Sequence, residues 1–335
     1  MSEKSFLTKF VEAGFTRIEV LETSENKRTR NRNAYVVTVI AEKAGMNLRA
    51  PLRQKATISR ANASETLKEF WLFPVAPETC NLACTHCLYA ASPKHRNPYQ
   101  LSATEFFGLL NQLDAVGAKP HFLFTGGEPT LHPQLCEILE SADQRGYSFQ
   151  LMTNGTRMQP SLVERLSRMS HLTKVQMSLE SVDAKVHDSI YGRGLHVRVL
   201  KAADLLKANA VPVTLAVTPM AANEQKFAAI ETLAESKGAD VKYISLYDLG
   251  AAKDNELQPS EESPKAGQQG DTELMCHKGV AYSEGTFYPC PVLVKEPQAK
   301  LGANLEEALS PEARRKVAEL QASQSACLVC LKGST

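Results

Sequence analysis

Between Trp71 and Leu249, short apolar runs alternate with longer amphipathic stretches at intervals of about 30 residues, the pattern of parallel strands joined by crossover helices. Six strands are predicted, around Trp71–Val75, His121–Thr125, Ser148–Thr153, Lys174–Leu179, Val211–Val217 and Lys242–Leu246. The helix signals between them agree. Ser102 followed by Glu105 makes a capping box ahead of Phe106 and Leu109, and Pro133 and Pro160 stand where a helix start tolerates Pro. Six such units with right-handed crossovers make a partial (β/α)6 barrel of the α/β class, with its chemistry at the C-terminal ends of the strands.

The flanks differ from this barrel, which occupies residues 69–250. In residues 1–68, Phe6, Leu7, Phe10 and Val11 suggest a short amphipathic helix, and Arg17–Leu21 and Ala34–Ala41 two strands, together a small N-terminal α+β cap. The basic run Lys27–Arg32 reads as a solvated hairpin tip, and the strand at Tyr35 as part of its own small sheet. An edge that accepts an extended substrate peptide is the alternative for that strand. Residues 251–273, rich in Pro, Ser, Gly and charge, cannot bury a core and read as a flexible linker or flap. Residues 274–335 form a C-terminal extension.

A chain of 335 residues has room for all of this. With 43% hydrophobic and 22% charged residues and a net charge of +1, it has no global field to draw nucleic acid or anionic lipid. No apolar run of about 18 residues occurs, and Met1–Lys4 opens no signal peptide, so neither a membrane nor a nucleic-acid partner is expected and the location is cytoplasmic. Eight cysteines in a reducing compartment then read as metal ligands rather than disulfides.

Cys80, Cys84 and Cys87 follow the first barrel strand directly. Three thiolates at C-x3-C-x2-C spacing hold three irons of a cubic [4Fe–4S] cluster and leave the fourth open; the triplet alone also admits a zinc knuckle. One βα unit later the second strand runs into Gly126-Gly127-Glu128-Pro129, where glycines let backbone approach a ligand and Pro fixes the turn. Together the two motifs resemble the radical S-adenosylmethionine (SAM) superfamily and argue against zinc. The resemblance implies a radical-SAM barrel in which the amino and carboxylate groups of SAM chelate the open iron. It places Gly126, Gly127, Glu128 and Pro129 at the SAM amino group, and Asn154, Ser178, Glu180 and Thr218, at or near later strand ends, toward the rest of the cofactor. Three positions depart from the family pattern: His86 replaces the usual Tyr or Phe, Glu180 stands where Asp is commoner, and the fifth strand lacks an Arg for the SAM carboxylate. Asn154 is equally explained as a turn residue before Gly155, and Arg193 reads as a surface residue or a carboxylate partner. No catalytic side chain is singled out.

Four further cysteines, Cys276, Cys290, Cys327 and Cys330, form two soft-ligand pairs. On chemistry alone they suit a fully ligated iron–sulfur cluster or a structural zinc equally. After a radical-SAM barrel they resemble a Twitch domain, the shortened form of the SPASM domain, which implies an auxiliary [4Fe–4S] cluster. The molybdenum-cofactor enzyme that rearranges GTP has a different cysteine order and ends in Gly-Gly, so that identity is rejected. Cys136 reads as a packing residue. The implied activity is that of a radical SAM oxidoreductase: reductive cleavage of SAM to a 5′-deoxyadenosyl radical, with an electron from a donor such as flavodoxin or ferredoxin, then oxidation of a bound peptide. The alternatives are oxidation of a small molecule such as a sugar or aminocyclitol, and a redox-neutral reaction with a structural C-terminal metal site.

Overall fold

The computed structural model describes residues 15–25 and 35–43 as backbone, and residues 67–253, 256–259, 274–323 and 327 in full. The expected helix near Phe6, the Lys27–Arg32 tip, most of the 251–273 linker and Cys330 lie outside the described residues. The chain divides into two compact units, Met1–Thr57 and Ile58–Thr335. In the first, β1 (Phe15–Glu25) and β2 (Tyr35–Lys43) pair antiparallel, Ile18 opposite Ala41 and Val20 opposite Val39. Both expected strands are present and longer than the apolar runs that announce them.

In the second unit the six parallel strands are β3 (Glu69–Leu72), β4 (His121–Phe124), β5 (Phe149–Thr153), β6 (Leu172–Ser178), β7 (Val213–Val217) and β8 (Asp240–Tyr243). They pair in chain order, as right-handed βαβ units require. Two boundaries differ from expectation. β3 stops at Leu72 because Pro74 has no N–H for the ladder, and β8 ends at Tyr243, where Ser245, Leu246 and Tyr247 turn to line a cavity. The sheet also has two strands beyond the six expected. β9 (Gly279–Ser283) lies parallel beside β3, and β10 (Thr286–Tyr288) folds back on β9, so the C-terminal hairpin extends the barrel sheet itself. A Cβ on Gly279 would lie 1.7 Å from the Glu69 carbonyl oxygen, so this pairing requires glycine there.

The connecting helices are α1 (Ala103–Val116), α2 (Leu135–Gln144), α3 (Pro160–Leu166), α4 (Ala184–Tyr191), α5 (Leu195–Ala208) and α6 (Phe227–Lys237). Shorter or later elements of the same unit include α7 (Met275–Lys278), α8 (Leu305–Ala308) and α9 (Pro311–Ser323), and a 3-10 turn at Gly250–Ala252. Ser102 caps α1 by accepting from the Glu105 N–H at 3.1 Å. The Glu105 carboxylate does not complete the box; it accepts from the hydroxyls of Tyr99 and Tyr282, at 3.0 and 2.7 Å, and so joins α1 to β9. Pro160 is the first residue of α3, as expected.

The main core lies between the outer face of the sheet and the helices. Phe70, Phe122, Phe124 and Phe149 pack with Phe106 and Tyr147 at ring separations of 5.1–6.0 Å. Burial of each such ring contributes about 1.5–3 kcal/mol. The other strand face is not filled in this way. Met152 and Asn154 on and after β5, Gln176 and Ser178 on β6, and Ala216 and Thr218 on and after β7 line a cavity of about 460 Å³. No helix among the described residues is long and apolar enough to cross a membrane.

Candidate active site

The cavity begins at the loop after β3, where all three of Cys80, Cys84 and Cys87 line it. Two close backbone approaches hold this loop, and each depends on a glycine. A Cβ on Gly127 would fall 1.9 Å from the Thr79 carbonyl oxygen, which accepts from the Glu128 N–H at 3.0 Å. On the other side a Cβ on Gly250, at φ +59°, would meet the carbonyl oxygens of Leu88 and Cys87 at 2.3 and 2.4 Å, while the Ala251 N–H donates to Cys87 at 2.8 Å. What approaches Gly127 is therefore first the chain's own cysteine loop. Gly126 lines the cavity at φ +136°, a conformation that side-chain-bearing residues rarely adopt.

The thiol environment suits thiolate ligands. Cys80 Sγ accepts from the Leu82 N–H at 3.4 Å, and Cys87 Sγ from the Ala91 N–H at 3.3 Å. The Asn154 amide lies 3.8 Å from Cys80 Sγ. Without a cation Cys80 and Cys84 stay protonated: burial pushes Cys80 up to about 11 and Cys84 higher still, with further increments from neighbouring acidic groups. Bound iron reverses that balance, because metal binding draws the protons off buried thiols. No three His, Cys, Asp or Glu side chains among the described residues are placed to hold a single metal ion. A cubane asks something different of three cysteines, one thiolate on each of three irons. The three thiols, their N–H donors and the adjoining cavity fit a [4Fe–4S] cluster with SAM beside it.

Asn154 makes the local turn and also reaches the cysteine loop. Its Oδ1 accepts from the Thr156 N–H and hydroxyl, a local turn, and its Nδ2 donates to Asn81 Oδ1 at 2.9 Å inside the cysteine loop. Glu128 and Pro129 are buried and do not reach the cavity wall. The Glu128 carboxylate instead accepts from the Thr130 N–H and hydroxyl, the Thr153 hydroxyl and the Asn154 N–H, which fixes the loop after β4 to the end of β5. Ser178, Glu180 and Thr218 do line the cavity. Glu180 is 1% exposed and accepts from the Tyr191 hydroxyl at 3.0 Å and the Thr218 N–H at 2.6 Å. Burial outweighs both donors and lifts its carboxyl to about 8. His86 also lines the cavity, 3.6 Å from Glu180, and burial lowers it to about 4, so its imidazole is neutral at pH 7. Arg193 is exposed and lies off the cavity wall, in a Gly192–Gly194 turn.

A second, small cavity of about 30 Å³ is lined by Cys276, Cys290 and Cys327, brought together from α7, the end of the hairpin and the chain beyond α9. Its other walls are apolar residues such as Met275, Leu293 and Leu320, and Gln321 Nε2 lies 3.2 Å from Cys276 Sγ. Burial raises the Cys290 thiol well above its ordinary range, with smaller increments from Cys276 and Cys327. Tyr247, Met275 and Val292 line both cavities. Cys136 is half-buried on α2, away from either site.

Several site residues are not marked by any motif: Gly250, Asn81 and Tyr191, together with the polar inner wall formed by Glu69, Gln176, Lys242 and Lys278. The inner wall does have a signal in the sequence. Gln150, Gln176 and Lys242 interrupt strands that would otherwise read as apolar, and strands of a fully packed parallel sheet carry no such alternation.

Residues 76–235 match the family model of the Radical SAM superfamily. The mycofactocin maturase MftC of Mycobacterium tuberculosis (strain CDC 1551 / Oshkosh) is 31% identical over 178 residues, covering 52% of this chain and 44% of that protein. The AdoMet-dependent heme synthase of Methanosarcina barkeri (strain Fusaro / DSM 804) is 29% identical over 166 residues, covering 49% and 47%. The chain thus spans less than half the length of these curated relatives. The solved structure of Streptococcus suis SuiB bound to the precursor peptide SuiA has the same fold, with a TM-score of 0.63 at 16% identity over 98% of this chain and 83% of that one. Parallel barrel, cysteine loop and sequence match agree: residues 76–235 form a radical SAM domain.

Proposed function

We propose that the chain is an enzyme that reductively cleaves SAM and uses the resulting 5′-deoxyadenosyl radical to abstract hydrogen from a peptide, which leaves oxidised. The observation that carries this is the convergence of Cys80, Cys84 and Cys87 on a barrel cavity whose wall beside them includes Gly126 and Gly127. When bound on these thiolates, a [4Fe–4S] cluster supplies the electron that breaks the sulfur–C5′ bond, and a reduced flavodoxin or ferredoxin is the class of partner that replenishes it. The remaining roles fall to the chain. Gly127 and Gly250 fix the cysteine loop between two backbone carbonyl contacts. Asn154 joins the loop to β5, and Ser178, Glu180 and Thr218 present polar groups along the SAM side of the wall. Trp71, Leu123 and Met152 keep water from the radical's path.

Cys276, Cys290 and Cys327, with Cys330 assigned from sequence, are proposed to hold an auxiliary [4Fe–4S] cluster that takes the electron left on the product. The shared walls at Tyr247, Met275 and Val292 support that role, since only these side chains stand between the larger cavity and the one lined by the second cysteine group. The peptide reading is supported by the maturase relative and by the fold shared with a precursor-peptide-binding protein. A small-molecule substrate is the second reading, favoured by the heme synthase relative.

The test is SAM cleavage under anaerobic reduction. Wild-type chain should release 5′-deoxyadenosine, and the Cys80→Ala/Cys84→Ala/Cys87→Ala variant should release none above a protein-free control. Undiminished 5′-deoxyadenosine from that variant would falsify the assignment.

A further inference from the structure

One polar group of the cavity wall has no part in the site described above. Gln176 lies on β6 two residues before Ser178, on the same strand face and so roughly 7 Å deeper in the barrel. Its neighbours across the sheet are Met152 on β5 and Thr214 on β7. The side chain lines the cavity and is 5% exposed, and its Oε1 has no hydrogen-bond partner among the described residues. Nearby polar groups do not supply one. Thr214 Oγ1 is itself buried without a partner, as is Nε2 of Gln150, two residues before Met152 on β5. A buried carbonyl without a donor destabilises the ligand-free fold. No hydrogen bond to Oε1 opposes a turn of the amide about χ3, a broad two-fold torsion, toward the cavity.

We infer that Gln176 is a substrate-recognition residue, accepting through Oε1 from an amide N–H of the peptide held in the middle of the barrel. This rests on the proposed function for SAM at the cysteine end and a peptide beneath it, and it names the group of the peptide that the wall selects. The surroundings favour an uncharged donor. Trp71, Leu123 and Met152 make the nearby wall apolar, and an ammonium is costly to bury there without a counter-ion. The Glu69 carboxylate, at the start of β3, is already engaged by Lys278 at 3.8 Å. An amide N–H carries no charge to desolvate. An amide is also the complement of Gln176 itself, since each group offers both an acceptor and a donor. SAM does not fill this position: the resemblance puts its amino and carboxylate groups on the open iron, at the other end of the cavity.

Trp71 is the only tryptophan in the chain and lines the same cavity, so its fluorescence reports occupancy without any reaction. Anaerobically reconstituted full-length protein, with saturating SAM and no reductant, is titrated with N-methylhexanamide and with methyl hexanoate, which has oxygen in place of the N–H. The amide should bind saturably and at least ten-fold more tightly, because the ester sets a lone pair against Oε1. Gln176→Met, close in length and without the carbonyl, should bring the two probes within two-fold of each other. It should not lower the urea midpoint of the probe-free protein, since no hydrogen bond is lost, and its affinity for SAM should match wild type within two-fold. Hexanamide and 1-hexanol complete the set. Preference for hexanamide over its N-methyl derivative assigns the group to an Asn or Gln side chain of the peptide, and the reverse preference to its backbone; hexanol binding as tightly as either amide overturns the amide assignment. Equal binding of amide and ester by wild type, or no saturable binding of the amide, overturns the inference without any variant. So does a contrast that survives Gln176→Met, a lower urea midpoint, or ten-fold weaker SAM binding, which makes Gln176 part of the SAM site. Release of 5′-deoxyadenosine by the wild-type chain is measured separately, and its absence beside an intact amide contrast removes the parent reading alone.

Discussion

Single residues in this site act mainly by what they leave out. Gly127 has a neighbour 1.9 Å from the place a Cβ would take, and that neighbour is backbone, which cannot rotate aside. Gly108, in the middle of α1, has nothing within 4 Å. The same substitution should therefore have opposite signs at the two positions. Gly108→Ala should raise stability by about 0.5–1 kcal/mol, the helix-propensity gain. Gly127→Ala should lower it by about 2 kcal/mol or more, in the range of forced overpacking, and reduce the iron retained after reconstitution. Denaturant midpoints and iron content measure both. Sequence alone marks the Gly126–Pro129 motif clearly, but not its mechanics. The partner of Gly127 is Thr79, 48 positions earlier in the numbering and in contact only because β3 and β4 pair. Nor does sequence show that the Glu128 carboxylate accepts from Thr130, Thr153 and Asn154.

At the scale of elements, the strand–helix alternation was legible because each crossover helix carries an apolar face for Phe70, Phe122, Phe124 and Phe149 to pack against. The place of the β9–β10 hairpin beside β3 was not legible, because no local pattern records which distant edge a strand will join. One helix is also held by a titratable contact. His187, on α4, is completely buried, stacks on Tyr191 at 4.8 Å, and through Nδ1 accepts from the Glu180 N–H at 3.2 Å, which fastens α4 to the end of β6. That bond requires neutral imidazole. Burial lowers His187 from the ordinary 6.5 to about 4, so between those values the unfolded chain binds a proton that the folded chain does not. Stability is complete above about pH 6.5 and is lost as pH falls toward 4, with a slope approaching about 1.4 kcal/mol per pH unit for this one group. His187→Gln should flatten the dependence by that slope when urea denaturation is followed from pH 7.5 to 4.5. An unchanged slope would mean that the imidazole protonates without leaving its pocket.

At the scale of the molecule, the two cysteine groups line two cavities that share Tyr247, Met275 and Val292, and Tyr89 connects the loops that present them. It follows Cys87 by two residues, lines the cavity, and donates its hydroxyl at 2.8 Å to the carbonyl of Pro291, the residue after Cys290. The loops that present the two groups are therefore positioned by one side chain. The proposed reaction has an electron enter at the first group and leave at the second, a route that this arrangement would accommodate. Anaerobically reconstituted protein should then hold about eight irons per chain, as two four-iron cubanes require. The Cys80→Ala/Cys84→Ala/Cys87→Ala variant should keep about half, with an electron paramagnetic resonance signal on reduction that belongs to the second cluster. Tyr89→Phe should keep the full iron content and alter that second signal, because the Pro291 carbonyl loses its donor and the segment bearing Cys290 is released from the cysteine loop. Should the triple variant bind zinc and no iron, the second group is structural, no electron acceptor adjoins the substrate, and the reaction becomes redox-neutral, with the hydrogen atom returned from 5′-deoxyadenosine to the product.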